Sequence, residues 1–205
     1  MSQITSGLRS VPGHPIAYDL FQNIMGAGKS RRKFVDSYIR PFSGCKILDI
    51  GCGTSRILDY LPDDVEYHGY DLSQRYISSA SRRYGERGNF TCSLVDKIAV
   101  QHLPRFDIVL AIGLLHHLSD DQVCDFMSIA RDALKENGRL ISIDPCYSNG
   151  QSLISRFLVS SDRGQNVRSS KEYYQLASIC FTQVNGAVKH QSWIPYTHFI
   201  MECLK

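Results

Sequence analysis

The run Lys46-Ile-Leu-Asp-Ile50 leads without a break into Gly51-Cys-Gly53. A short Ile/Leu-rich run ending in Gly-x-Gly is a strand whose carboxyl end turns sharply, because glycine alone takes up positive φ and close backbone approach at little cost. The pattern downstream of this turn fixes the class. Apolar runs at 66–70, 89–95, 106–112 and 139–144 predict further strands, and amphipathic segments at 54–61, 73–84, 120–136 and 171–180 predict the helices between them. Strand and helix alternating at this spacing build a mainly parallel sheet covered on both faces. Ser119-x-x-Gln122 and Ser169-x-x-Glu172 match capping boxes at two helix starts, and Gly85 and Gly138 close two helix ends. Beyond residue 180 the alternation gives way to strands at 181–188 and 198–204 with no helix between them, an antiparallel pair at the sheet edge.

The 205 residues make one domain. Residues 45–205 hold the alternating pattern, with a Ser/Gly/Arg-rich insertion at about 145–170, and residues 1–44 read as a helical cover with helices near 16–25 and 30–40. The longest nearly continuous apolar stretch, 106–115, falls well short of the roughly 18 residues that cross a bilayer. The start of the chain lacks the apolar core of a secretory leader. Seven cysteines, an odd number without Cys-x-x-Cys or zinc-type spacing, suit reduced thiols. A cytoplasmic protein without a bound metal is the expectation.

The net charge of +3 conceals opposed contributions. Residues 1–44 hold six Lys/Arg against two Asp/Glu, residues 45–146 eleven against fifteen, and residues 147–171 four against one. The alternating region is therefore acidic and the segments around it are basic. The basic runs 29–33 and 82–87 read as solvated helix faces, and a pI near 8.4 lies below the roughly pI 9 of a nucleic-acid-binding domain, so no nucleic-acid partner is expected.

The acids near the glycine turn refine the expectation of a ligand. Asp49 stands two residues before Gly51, where a carboxylate repels a pyrophosphate but suits an ammonium or sulfonium group; S-adenosylmethionine carries both. Asp71 ends the second strand 20 residues after Gly51, the offset of an acid that accepts hydrogen bonds from a ribose diol. The fourth strand runs into Leu114-Leu-His-His-Leu-Ser-Asp120, and the fifth follows Ala133-Leu-Lys-Glu-Asn-Gly-Arg-Leu-Ile141.

Together these segments resemble the class I S-adenosylmethionine-dependent methyltransferases from about residue 45 onward, and look most like the small-molecule branch that includes quinone-biosynthesis enzymes. The resemblance implies a doubly wound, Rossmann-like α/β fold, with a seven-stranded, mostly parallel sheet and a reversed last strand. It implies S-adenosylmethionine as cofactor and S-adenosylhomocysteine as product. By position, Asp49, Gly51, Cys52 and Gly53 would meet the methionine end, Asp71 and Leu72 the ribose, Val95 and Asp96 the adenine, and Ile112 the cofactor from the fourth strand.

A hydroxyl acceptor must lose a proton, and His116 and His117 stand at the carboxyl end of the fourth strand, where open α/β sheets bind ligands. His117 is favoured over His116 as the base, by resemblance. Tyr18 on the cover, Tyr196, and Arg163 with Arg168 in the insertion are the candidate contacts to a small-molecule acceptor, the arginines because guanidinium groups recognise carboxylate or phosphate. The basic flanks lead to the expectation of an anionic acceptor. Asp144-Pro-Cys-Tyr147 resembles signatures of nucleobase methylation, but it follows the fifth strand whereas those follow the fourth. O-methylation is the leading reading; N-methylation of an amine and a non-catalytic, cofactor-binding partner subunit stay open, as does the oligomeric state.

Overall fold

The computed structural model describes residues 27–161, 164–191 and 196–205. Strand β1 (Lys46–Ile50) lies inside the sheet, with Ile47 and Leu48 fully buried on its opposite faces. To one side of it stand β2 (Glu66–Asp71) and β3 (Asn89–Cys92); to the other come β4 (Phe106–Ile112), β5 (Leu134–Tyr147), β8 (Tyr196–Leu204) and the edge strand β7 (Gln183–Gln191). The pairs β1/β2, β2/β3, β1/β4 and β4/β5 are parallel, and β8 runs antiparallel to both β5 and β7. The seven-stranded expectation, with a reversed last strand in an edge hairpin, is met. A two-residue strand, β6 (Arg168–Ser169), adds to the end of β5 off this path.

The helices are α1 (Ala27–Phe34), α2 (Gln74–Tyr84), α3 (Ala99–His102), α4 (Asp120–Ala133), α5 (Leu153–Ser160) and α6 (Ser170–Ala177). One sheet face, with Ile47, Ile108 and Ile141, packs on Phe34, Val35 and Ile39. The other, with Leu48, Val109 and Leu140, packs on Met127 and Ala130 of α4 and Tyr173 of α6. A side chain as fully buried as Met127 contributes about 1.5–3 kcal/mol relative to exposure. Both capping boxes form: Gln122 N donates to Ser119 Oγ and Glu172 N to Ser169 Oγ, and each longer side chain accepts in return from the backbone N–H of its serine. Among the described residues no helix is long and apolar enough to cross a membrane.

Several boundaries differ from expectation for local reasons. The predicted helix at 54–61 is a 3-10 turn, Arg56–Tyr60, because Ser55 before it is left-handed at φ 55° and the proline at 62 follows its end. Strand β3 ends at Cys92, three residues early. Strand β5 begins at Leu134, with a register shift opposite Phe106 and Ile108 where Asn137 takes φ 63°. The predicted helix at 30–40 is α1 followed by a π turn, Val35–Ile39, that stops at left-handed Arg40. The helix expected near 16–25 lies outside the described residues. Inside the insertion α5 forms, capped by Ser152 accepting from Ser155 N at 3.1 Å.

The chain leaves β1 for β2 and β3 on one side, then returns to lay β4 on the other. The neighbouring carboxyl ends of β1 and β4 are the topological switch point, where loops diverge and leave a crevice.

Candidate functional site

At that crevice the backbone turns on Gly51 and Gly53, with φ 77° and 54°. A Cβ on Gly51 would lie 3.0 Å from Leu114 beneath it, whereas one on Gly53 would meet nothing within 4 Å, so Gly53 leaves open space. The amides of this turn point inward: those of Gly51 and Cys52 donate to Tyr70 O at 2.7 and 3.0 Å, and that of Gly53 to Asp71 Oδ2 at 3.0 Å. A phosphate-cradling loop presents its amides to the ligand instead. This turn offers room without donors, which suits a ligand that is not a pyrophosphate.

Asp49 sits beneath the turn at 2% exposure. Tyr67 Oη donates to its Oδ2 at 2.6 Å, while Oδ1 is buried with no hydrogen-bond partner among the described residues. Gly69 makes this possible, since a Cβ there would lie 2.9 Å from Cys52 Sγ and 3.0 Å from the Tyr67 ring. Burial raises the Asp49 carboxyl to about 7, against the opposing pull of the Tyr67 hydrogen bond. A buried carboxylate with an uncompensated oxygen is stabilised by a cation, so these residues fit the ammonium end of S-adenosylmethionine.

Asp71 closes the second corner. Its Oδ1 accepts from Ser73 N at 2.7 Å, and its two carboxylate oxygens keep lone-pair capacity for a diol. Leu72 beside it and Leu94 past β3 are each 53% exposed, an apolar surface open to a planar ring. Asp96 is exposed and caps α3, accepting from Ile98 N and Ala99 N at 2.9 and 2.7 Å. Val95 is 4% exposed, its side chain packed inside the core cluster of Leu48, Ile50 and Leu114.

Beyond Ile112, Gly113 N donates to Ile143 O at 2.8 Å, joining the ends of β4 and β5. The turn Leu115–His117 comes next. His116 is buried, and its Nδ1 lies 2.8 Å from Oδ1 of Asp144, which also accepts from His116 N at 3.2 Å. The contact with Asp144 fixes the orientation of the imidazole ring. His117 is less buried and stacks on His116 with ring centroids 4.0 Å apart. The carboxylate partner thus falls to His116, next to the sequence-based candidate His117. Asp144 as the partner went unread; the signal was an acid one residue after Ile143, which pairs with Ile112.

Arg168 is not placed to contact an acceptor. It is 7% exposed, and its guanidinium donates to Asp120 Oδ1 from Nε and Nη2, to Leu115 O and Asn166 O from Nη1, and to Leu118 O from Nη2, at 2.6–3.1 Å. All five donors are engaged, which removes Arg168 as a ligand for a carboxylate or phosphate. Tyr196 packs its ring 4.9 Å from His198 at the start of β8. Tyr18 and Arg163 lie outside the described residues.

A strand ending in a glycine turn, acids ending β1 and β2 and the reversed β8 are the features in which the fold resembles class I S-adenosylmethionine-dependent methyltransferases. Residues 48–140 match the family model described as a methyltransferase domain. The chain is 25% identical over 114 residues to a ubiquinone biosynthesis O-methyltransferase of Idiomarina loihiensis, covering 54% of this chain and 46% of that protein. It spans about half the length of that curated relative. Among solved structures, the S-adenosylmethionine-dependent methyltransferase SibL superposes with a TM-score of 0.73 at 14% identity, over 100% of this chain and 62% of that one. Magnesium protoporphyrin IX methyltransferase from Synechocystis, solved with S-adenosylhomocysteine bound, superposes with a TM-score of 0.68 at 14% identity, over 93% and 87%. At these identities the structural likenesses establish the fold alone.

Proposed function

We propose that this protein transfers the methyl group of S-adenosylmethionine to a hydroxyl of a small-molecule acceptor. The observation that carries the reading is the buried Asp49 carboxylate, whose Oδ1 has no partner among the described residues, under the open Gly53 turn. The cofactor supplies an electrophilic methyl on a sulfonium and leaves as S-adenosylhomocysteine. Asp49 holds the ammonium end, Asp71 accepts from the ribose, and Leu72 with Leu94 shelters the base. His116 Nε2 takes the proton of the acceptor hydroxyl as the oxygen–carbon bond forms, and Asp144 stabilises the resulting imidazolium. Holding the acceptor in line supplies about 7–11 kcal/mol of the rate enhancement, and a positioned base about another 10²–10⁴-fold.

The name of the Idiomarina relative supports a hydroxyl acceptor. Arg168, spent inside the protein, adds nothing to the expectation of an anionic acceptor, which is left to the basic flanks and Arg163. Buried thiols at Cys45, Cys146 and Cys203 suit a reducing cytoplasm. The test is calorimetry with S-adenosylhomocysteine followed by a methyl-transfer screen across phenols, alcohols and amines. The reading expects binding and turnover on a hydroxyl. Turnover on amines alone would move the assignment to N-methylation, binding without turnover would indicate a non-catalytic partner, and no binding would overturn the reading.

A further inference from the structure

The segment from Gly164 to Arg168 is stitched onto the turn that carries the two histidines. Asn166 N donates to His116 O at 3.0 Å, and Arg168 holds Leu115 O and Leu118 O at 3.0 and 2.7 Å. Three carbonyls of a four-residue turn are thus gripped by one strap. Gly164 lies against the His116 ring, so closely that a Cβ would overlap the ring carbons and stand 2.6 Å from His116 O. Asp120, which opens α4 directly after the turn, anchors the guanidinium from the other side. Tyr173 lies under the guanidinium carbon at 5.7 Å and donates its hydroxyl to Pro145 O at 3.2 Å, one residue from Asp144.

We infer that Arg168 is a positioning residue for His116. It acts at no reacting atom; its planar fork fixes the carbonyls on both sides of the histidine pair, and so fixes the orientation in which His116 Nδ1 meets Asp144. Gly164 is the steric counterpart, since only a residue without a side chain lets the strap seat. Lysine cannot replace this function. It keeps the charge but has three donors on a point-like ammonium, against five in a rigid plane. The inference rests on His116 being the proton acceptor, and its test is separable from that reading.

The experiment uses the full chain with ¹⁵N-labelled histidine and saturating S-adenosylhomocysteine. Buried and bonded to a carboxylate, the His116 Nδ1 proton exchanges slowly and resonates at low field; His116→Gln assigns it. Arg168→Lys and Gly164→Ala are each expected to abolish or shift that resonance while the ligand Kd, set at β1 and β2, stays within about twofold. Asp120→Asn keeps the three carbonyl bonds and is expected to retain it. If Arg168→Lys fails to fold, Gly164→Ala and Asp120→Asn decide between them. An unchanged His116 resonance in folded Arg168→Lys or Gly164→Ala protein overturns the inference, as does its loss in Asp120→Asn. Failure of the wild-type protein to bind S-adenosylhomocysteine strikes the methyltransferase reading instead, and the resonance comparison without ligand still answers the positioning claim.

Discussion

Cofactor affinity should fall as pH drops through neutrality, because Asp49, the group proposed to meet the ammonium, is itself half-protonated there. Asp49 is raised to about 7 by burial, so at pH 6 roughly nine molecules in ten of the free protein carry a neutral carboxyl. A cationic ligand binds the ionised form, so the apparent Kd scales with one plus the ratio of protonated to ionised Asp49. Between pH 8 and pH 6 that factor grows about tenfold, or about 1.4 kcal/mol. Calorimetry with S-adenosylhomocysteine in two buffers of different ionisation enthalpy measures both the Kd and the released protons, expected near about 0.9 per site at pH 6 and about 0.1 at pH 8. The free protein should show the converse. Asp49 has a folded value above its ordinary 3.8, so its contribution to stability is full below about pH 4 and is lost as pH rises through 7, on the order of 4 kcal/mol at most. Asp49→Asn should therefore stabilise the unliganded protein at pH 8 while weakening the ligand and flattening its pH dependence. A wild-type Kd constant within twofold from pH 6 to pH 8, with no proton release, would refute the reasoning.

Three further outcomes rest on the same geometry. Gly53→Ala has room for its Cβ and should cost the fold only about 1 kcal/mol for its left-handed backbone, yet weaken S-adenosylhomocysteine by far more, since the methyl enters the open side of the turn; equal losses in melting and titration would count against it. Tyr67→Phe removes the donor that holds Asp49 down, so the pH limb of binding should move upward and the Kd at pH 7 rise several-fold, and an unmoved limb would show that the hydrogen bond is unimportant. Ser119→Ala and Ser169→Ala each remove one capping box, and each should cost about 1 kcal/mol, or roughly 2–4 °C in melting temperature for a chain of this size, without altering ligand affinity.

How legible the structure was depended on whether the determining contacts were local. Strands β1 and β4 coincide with their predicted bounds because both are short runs rich in Ile, Leu and Val and ended by glycines. The capping boxes could be read because their partners lie three residues apart. Asp49 and Asp71 could be placed because the turn between them ties them to strand ends of fixed register. Arg168 shows the opposite: its partners Asp120, Leu115 and Leu118 lie 48 to 53 residues away, and a basic residue in a Ser/Gly-rich stretch looks the same in sequence whether it faces solvent or carbonyls. The His116–Asp144 pair spans 28 residues and emerges only once β4 and β5 are set side by side. Helix α5 was missed because Leu153, Ile154 and Phe157 are exposed, so its apolar residues do not trace a buried face.

Asp49 and Asp71, at the carboxyl ends of β1 and β2, are the residues proposed to hold S-adenosylmethionine. A crystal structure of the full chain grown with S-adenosylhomocysteine tests this most directly. The amino group is expected within hydrogen-bonding distance of Asp49 Oδ1, the ribose hydroxyls on Asp71, and the sulfur passing over Gly53 toward the turn that carries His116. A ligand bound with its amino group away from Asp49, or seated elsewhere on the protein, would contradict it.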